Sequence, residues 1–338
     1  MPGPPAGPGS HFPGLACGVA GASKMPLCTA SLLSPMRHPA WRLDPAAYVW
    51  HTRLQPRHAD VDTLGHLNNS AVIGLHIEAR QQWQMALFGP QSWRRESPLL
   101  RPSELVTHFI EEGHYPEPLH AGLRLLAVDG ERWRLASGLF QAGRCIGLQD
   151  IEMRAWQQGE ICALPADVAG PLATALHDQP PPTGDVLAGS PAGGDDPAAL
   201  RAGPEAYAMH SSLPTRFSDL DPQRQTDALA LARYAEHGRM QLLHRQAEGL
   251  PPTGKMNALV AQVRLRILRV APPPREWQLA SGAGPFGRSA MPMRTALFDG
   301  TLCHAVSDAV LVCIDKESRR PVELPPMLRA RLEALQLR

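Results

Sequence analysis

The stretch HADVDTLGHLNNSAVIGLHIEARQQW, His58 to Trp83, decides the fold because a second stretch repeats its plan. That second stretch is FSDLDPQRQTDALALARYAEHGRMQLL, Phe217 to Leu243. Aligned without gaps, Asp60 falls on Asp219, Asp62 on Asp221, Val72 on Leu231, Ala79 on Gly238 and Arg80 on Arg239. Each block also closes on Leu-Pro, at Leu164-Pro165 and Leu324-Pro325. A repeat this long predicts two copies of one domain rather than a solenoid of short units.

Within each copy the same order of elements is expected. A short strand comes first, Tyr48 to Leu54 and Tyr207 to Leu213. A polar Asp-x-Asp loop follows, then a helix of about 20 residues, ~30 Å long. Val72, Leu75, Ala79, Trp83 and Ala86 recur at three- and four-residue steps, as do Leu231, Tyr234, Gly238 and Leu242. Asn68 or Asn69 caps the first helix; Thr226 or Asp227 caps the second. Strands come next. Leu259, Ala261, Val263, Leu265 and Ile267 alternate with Gln262, Arg264 and Arg266, which predicts a strand with one wet face. Asp129-Gly130 and Asp299-Gly300 mark hairpins. One helix over one antiparallel sheet gives an α+β domain, twice.

Working outward, the 338 residues carry 33 Lys+Arg against 32 Asp+Glu, a formal charge of +1. That balance offers no basic footprint for nucleic acid. No apolar run approaches the ~18 residues of a spanning helix, so no membrane partner is expected. Hydrophobic residues are 43% of the chain, enough for a real core. The 35 prolines and 29 glycines are unevenly spread. They mark residues 1–44 as a disordered leader and 169–204 as a linker, leaving domains at 45–168 and 205–338. The six cysteines, Cys17, Cys28, Cys145, Cys162, Cys303 and Cys313, form no CxxC pair and suit a reducing cytoplasm. No Gly-rich phosphate loop and no metal-ligand cluster is present, so no metal and no cofactor is expected. His108, His114 and His120 recur at six-residue steps, which fits neither one helix face nor a metal spacing.

The string Asp60-Val61-Asp62-Thr63-Leu64-Gly65-His66-Leu67-Asn68-Asn69, followed by Glu78-Ala79-Arg80, resembles the hotdog-fold thioesterases of the hydroxybenzoyl-CoA thioesterase type. The Arg233 to Arg239 stretch resembles the same helix, and the closing LPADVAG and LPPMLRARLEAL resemble that family's end. The resemblance implies two tandem hotdog domains pairing edge to edge as an internal pseudo-dimer, with acyl-thioester sites at their junction. It leaves open a further association of pseudo-dimers into a homo-oligomer. It implies thioester hydrolysis of acyl-CoA or acyl-carrier-protein substrates, with Asp62 as the catalytic carboxylate, either general base or nucleophile.

The chemistry asks for an activated water or nucleophile and for donors aimed at the carbonyl oxygen. A carboxylate just ahead of a helix N-terminus offers both. By the resemblance, His66 and Asn68 line the site with Asp62, while Gly65, Asn69 and Glu78 contact substrate. Each has a plainer reading. His66 is a loop histidine, Asn68 and Asn69 are caps, Gly65 meets a positive φ or a close approach, and Glu78 pairs with Arg80 or a strand arginine. Asp60 reads as a turn residue. Trp83 and Trp93 line an acyl pocket or pack the core. Arg94, Arg95 and Arg101 meet coenzyme A phosphates or are simply solvated. In the second copy Gly65, His66, Asn68 and Asn69 are matched by Arg224, Gln225, Asp227 and Ala228. One competent site is therefore expected. Two other readings stay open: a dehydratase or hydratase of acyl thioesters, and a non-catalytic acyl-thioester binder.

Overall fold

The computed structural model describes residues 38–181, 203–251 and 254–335. All lie in one compact unit, Ser31–Arg338. The first copy runs β1 (Trp50–Leu54), α1 (Asn69–Phe88), β2 (Leu99–Phe109), β3 (Leu119–Val128), β4 (Arg132–Gln141), β5 (Arg144–Gln157), β6 (Glu160–Cys162) and α2 (Ala166–Asp178). The second runs β7 (Met209–Pro214), α3 (Ala228–Ala247), β8 (Met256–Ile267), β9 (Glu276–Ala283), β10 (Ala290–Asp299), β11 (Leu302–Asp315) and α4 (Pro326–Glu333).

All the strands join one antiparallel sheet, in the order β1-β3-β4-β5-β2-β8-β11-β10-β9-β7, with β6 on β5. The order is a palindrome: each strand of one copy has its twin at the mirrored place. The seam is β2 on β8, with Glu104 opposite Arg266, Leu105 opposite Leu265 and Val106 opposite Arg264. This is the tandem hotdog arrangement, two helix-and-sheet units joined edge to edge.

Alternation along the seam strands explains the join. Leu105, Val263 and Leu265 point to the core beneath the helices. The opposite face of β8 is not simply wet, as the sequence suggests. Arg264 pairs with Glu104, and Arg266 and Arg294 both pair with Asp308. Cross-strand ion pairs thus seal that face.

The two long helices touch each other and share one apolar core with the sheet. Val72, Leu75, Ala79 and Trp83 are buried along α1, and Leu231, Tyr234, Gly238 and Leu242 along α3. Ala86 is exposed. At Gly238 a Cβ would sit 2.8 Å from Thr295 Cγ2 and 2.9 Å from Ser281 Oγ, so α3 lies closer to its strands than a larger residue permits.

Two boundaries differ from the sequence reading. The expected leader ended at residue 44, but Trp41 and Arg42 are buried. Arg42 Nη1 bonds Asp150 Oδ1 at 2.7 Å, and Trp41 packs at a tilt on Tyr48, which stands edge-on to Phe140 on the outer sheet face. Residues 1–37 of that leader lie outside the described residues. The expected linker began at 169, yet its first part is helix α2, which buries Val168 and Leu172. These sit four residues apart, one apolar stripe, as Leu328 and Leu332 do in α4. Residues 182–202 of the linker lie outside the described residues.

Under α1, His76 is fully buried, and its Nδ1 lies 2.8 Å from Ser137 Oγ. His108 is buried on the outer face beside His38, Arg42 and Asp150. Burial pushes both imidazoles down to about 3 from 6.5, with Arg42 adding to the effect in each. Folded pKa values lie below unfolded ones, so the unfolded chain binds protons the native state refuses. Stability should therefore fall as pH drops from 6.5 toward 3, by about 1.4 kcal/mol per pH unit for each histidine. Denaturant unfolding across that range measures the slope, and His76→Gln should reduce it by one histidine's share.

Candidate active site

Each copy carries the same turn ahead of its long helix. Asp60 accepts the Arg57 N–H at 2.8 Å, and Asp219 accepts the Arg216 N–H at 2.8 Å. Burial pushes the Asp60 carboxyl up, but hydrogen bonds from Arg57 outweigh it and hold the group below its usual range. This Asp holds the turn. Asp62 N–H donates to His66 O at 2.9 Å, and Asp221 N–H to Gln225 O at 2.9 Å. Asp62 Oδ1 accepts from Leu64 N–H at 2.8 Å; Asp221 Oδ1 accepts from Gln223 N–H at 2.9 Å. Both turns need a left-handed residue, Gly65 at φ +86° and Arg224 at φ +60°. A Cβ on Gly65 would meet nothing within 4 Å, so φ and not a close approach explains this glycine.

The helix starts also correspond. Asn68 Oδ1 accepts the Ser70 N–H at 2.7 Å, and Asp227 Oδ1 accepts the Ala230 N–H at 2.7 Å. Of the alternative caps, Asn68 and Asp227 hold the position, and Asn69 is the first residue of α1. The Asn69 and Ala71 N–H groups, at the positive end of α1, have no acceptor among the described residues.

Around the two aspartates the copies part. Asp62 has a side chain 24% exposed, and its nearest titratable neighbour is His66 Nδ1 at 3.8 Å. His66 Nε2 lies 3.4 Å from Glu112 Oε1, and Arg319 of the second copy pairs with Glu112. His114 stands edge-on to His66 with ring centroids 6.2 Å apart. Burial depresses the His66 pKa; Asp62 raises it, while Arg319 and His114 lower it further, so the ring is neutral at pH 7. Asn68 Nδ2 donates to Glu236 Oε1 of α3 at 3.4 Å. The Asp62 loop thus meets the second copy.

Asp221 is only 7% exposed at its side chain and is ion-paired to Arg101 from β2. The Arg101 guanidinium also donates to Gln223 Oε1 at 2.9 Å. On this side lies a cavity of about 540 Å³ between the copies. Its walls include Glu78 and Arg80 of α1, Asp221 and Asp227 of the second loop, and apolar Leu231, Ile267 and Trp277. Among the sequence candidates Asp62, Gly65, His66, Asn68 and Asn69, none lines this cavity; Glu78, Trp93, Arg95 and Arg101 do.

Several candidates have a plain structural partner. Glu78 accepts from Gln82 Nε2 at 2.8 Å. It is not paired with Arg80, since two helical residues apart put one side chain in solvent and the other in the interior. Trp83 is packed in the core against Phe88. Arg94 sits over the Trp93 ring at 4.6 Å. Arg95 binds Asp167 at 2.7 Å. The residues missed in the sequence are Glu112, His114, Arg319 and Glu236. All reach the Asp62 loop from distant segments; Glu236 sits in the Arg233 to Arg239 stretch and His114 in the six-residue series, but neither pattern marks a place at the site.

No protein-family model matches this sequence, and no curated protein matches it. Solved structures do share its fold. A putative oleoyl thioesterase from Lactobacillus plantarum is similar with TM-score 0.58 and 10% identity, covering 79% of this chain and 98% of that one. An acyl-ACP thioesterase from Bacteroides thetaiotaomicron gives TM-score 0.55 and 10% identity, covering 78% and 97%. A 12:0-ACP thioesterase from Umbellularia californica gives TM-score 0.58 and 11% identity, covering 78% and 93%. At these identities the likeness is one of fold.

The φ requirement at Gly65 is open to test. Gly65→Ala should cost about 1–2 kcal/mol in thermal or denaturant unfolding. Gly130→Ala, at a glycine without positive φ and with open space at its Cβ, should cost much less.

Proposed function

We propose that this protein hydrolyses acyl thioesters of coenzyme A or of acyl carrier protein at one site, led by Asp62. The observation that carries the reading is the contrast between two equivalent turns. Both present an aspartate just ahead of a long helix, but Asp221 is cancelled by Arg101 while Asp62 has no cationic partner among the described residues. A thioesterase needs a carboxylate free to act, and only the first copy offers one.

In this reading Asp62 takes a proton from water, and the oxygen attacks the thioester carbonyl carbon. The developing oxyanion is met by N–H groups at the start of α1, where the helix dipole favours negative charge. The C–S bond then breaks, and the thiolate recovers the proton from Asp62. Direct attack by the carboxylate, with later hydrolysis of the anhydride, uses the same groups. Neutral His66 and the Asn68 amide orient the carbonyl or the water. Gly65 and Asn69 shape the approach of substrate. Glu236 and Arg319 of the second copy supply the facing wall. The assignment to the hydroxybenzoyl-CoA type rests on sequence resemblance, chiefly the Asp60 to Asn69 string with Glu78-Ala79-Arg80. The similar structures named as thioesterases support the general activity.

A thiol-release assay over short, long and aromatic acyl-CoAs tests the reading. Asp62→Asn should lower kcat by about 10²–10⁴, and Asp221→Asn should cost far less. Equal losses would reject the one-site mechanism. Reversible hydration of an enoyl thioester without thiol release would establish a lyase instead, and saturable binding without turnover a binder.

A further inference from the structure

The cavity on the Asp221 side contains a charge without a partner. Arg80 is 5% exposed and lines the cavity. Its Nε and Nη1 are buried with no hydrogen-bond partner, and no carboxylate lies within ion-pair distance of it among the described residues. Burial and the nearby Arg101 push its pKa down to about 10, with Asp227 of the same cavity opposing them from beyond ion-pair distance, so it remains charged at neutral pH. A buried unpaired cation is costly, and native structures rarely keep one without an anion to meet it.

The repeat shows the partner that such an arginine takes. The equivalent Arg239 has Glu236 three residues before it, with Nη2 3.9 Å from Oε1. At the corresponding place before Arg80 stands Ile77. The other acids of the cavity are committed elsewhere. Asp221 is paired with Arg101, Asp227 caps α3 through the Ala230 N–H, and Glu78 accepts from Gln82. Ile77, Leu231, Ile267 and Trp277 form an apolar strip of the remaining wall, beside polar Gln81, Gln84, Gln225 and Thr226. A cavity of about 540 Å³ has the size of a small-molecule site.

We propose that this cavity is a second, non-hydrolytic site that binds a free carboxylic acid with a hydrocarbon tail, its carboxylate on Arg80 and its tail along the apolar wall. The guanidinium fork suits a carboxylate's two oxygens. A thioester carbonyl has no charge to offer it. A polyphosphate would find only Arg80 inside the cavity and the exposed Arg269 at its rim, since Arg95 is paired with Asp167 and Arg101 with Asp221. Free acids of this class are what thioester hydrolysis releases, but the inference rests on the cavity and not on the activity.

Isothermal titration of the full-length protein with dodecanoate, below its micellar concentration, tests the site against dodecanol and coenzyme A. Dodecanoate should bind saturably, and dodecanol about thirtyfold more weakly or worse. Arg80→Gln should bring dodecanoate down to the level of the alcohol while melting no lower than the wild type, since it removes an unpaired buried cation. Ile77→Glu should abolish binding by giving Arg80 the partner that Arg239 has. Asp62→Asn should bind dodecanoate as the wild type does, whatever happens to turnover. Equal affinity for acid and alcohol, binding indifferent to both α1 variants, displacement by coenzyme A, or loss of binding in Asp62→Asn would each overturn the proposal.

Discussion

Everything in this molecule hangs on the pairing of β2 with β8. Without that seam each copy would leave a long strand edge open and a helix covering only its own strands. With it, Leu105 and Leu265 close a single core under α1 and α3, and Glu104 with Arg264 bridges the opposite face. The seam also fixes where ligands fit. Each Asp-x-Asp turn is brought against the other copy's helix, so both candidate sites are made from residues far apart in sequence.

From this shared frame the two turns have diverged by electrostatics rather than by shape. Their hydrogen bonds correspond almost bond for bond, even to the left-handed residue, although glycine serves in one and arginine in the other. The difference lies in what faces them. Arg101 neutralises and buries one aspartate, while the other looks toward a neutral histidine. Conversely, the open cavity lies beside the neutralised aspartate, and the turn with the free carboxylate is lined by Glu112, His114 and Arg319.

Much of the fold was legible because its signals are local. The three- and four-residue steps of Val72, Leu75, Ala79 and Trp83, the alternation in β8, and the Asp-Gly turns each depend on near neighbours. The cap could be narrowed to Asn68 or Asn69 by residue type, but only the coordinates pick Asn68. The site was less legible. Its decisive contacts, Arg101 with Asp221, Asn68 with Glu236 and Arg319 with Glu112, are set by the seam and carry no spacing signature. The α2 helix was hidden in a Pro- and Gly-rich region whose composition outweighed the short stripe of Val168 and Leu172. Of the histidines at six-residue steps, His108 is packed on the outer sheet face by its place in β2, while His114 comes to His66 on a loop held by the Leu67 N–H bond to Gly113 O.

Carrying both copies on one polypeptide has an evolutionary consequence. In a symmetric dimer of identical chains, any change at one site is imposed on its twin, so a loss that suits one place injures the other. Here glutamate stands three residues before Arg239 and isoleucine three before Arg80. Tethering also keeps the halves at high effective concentration, so assembly survives dilution. One half is thus free to change without altering its sibling.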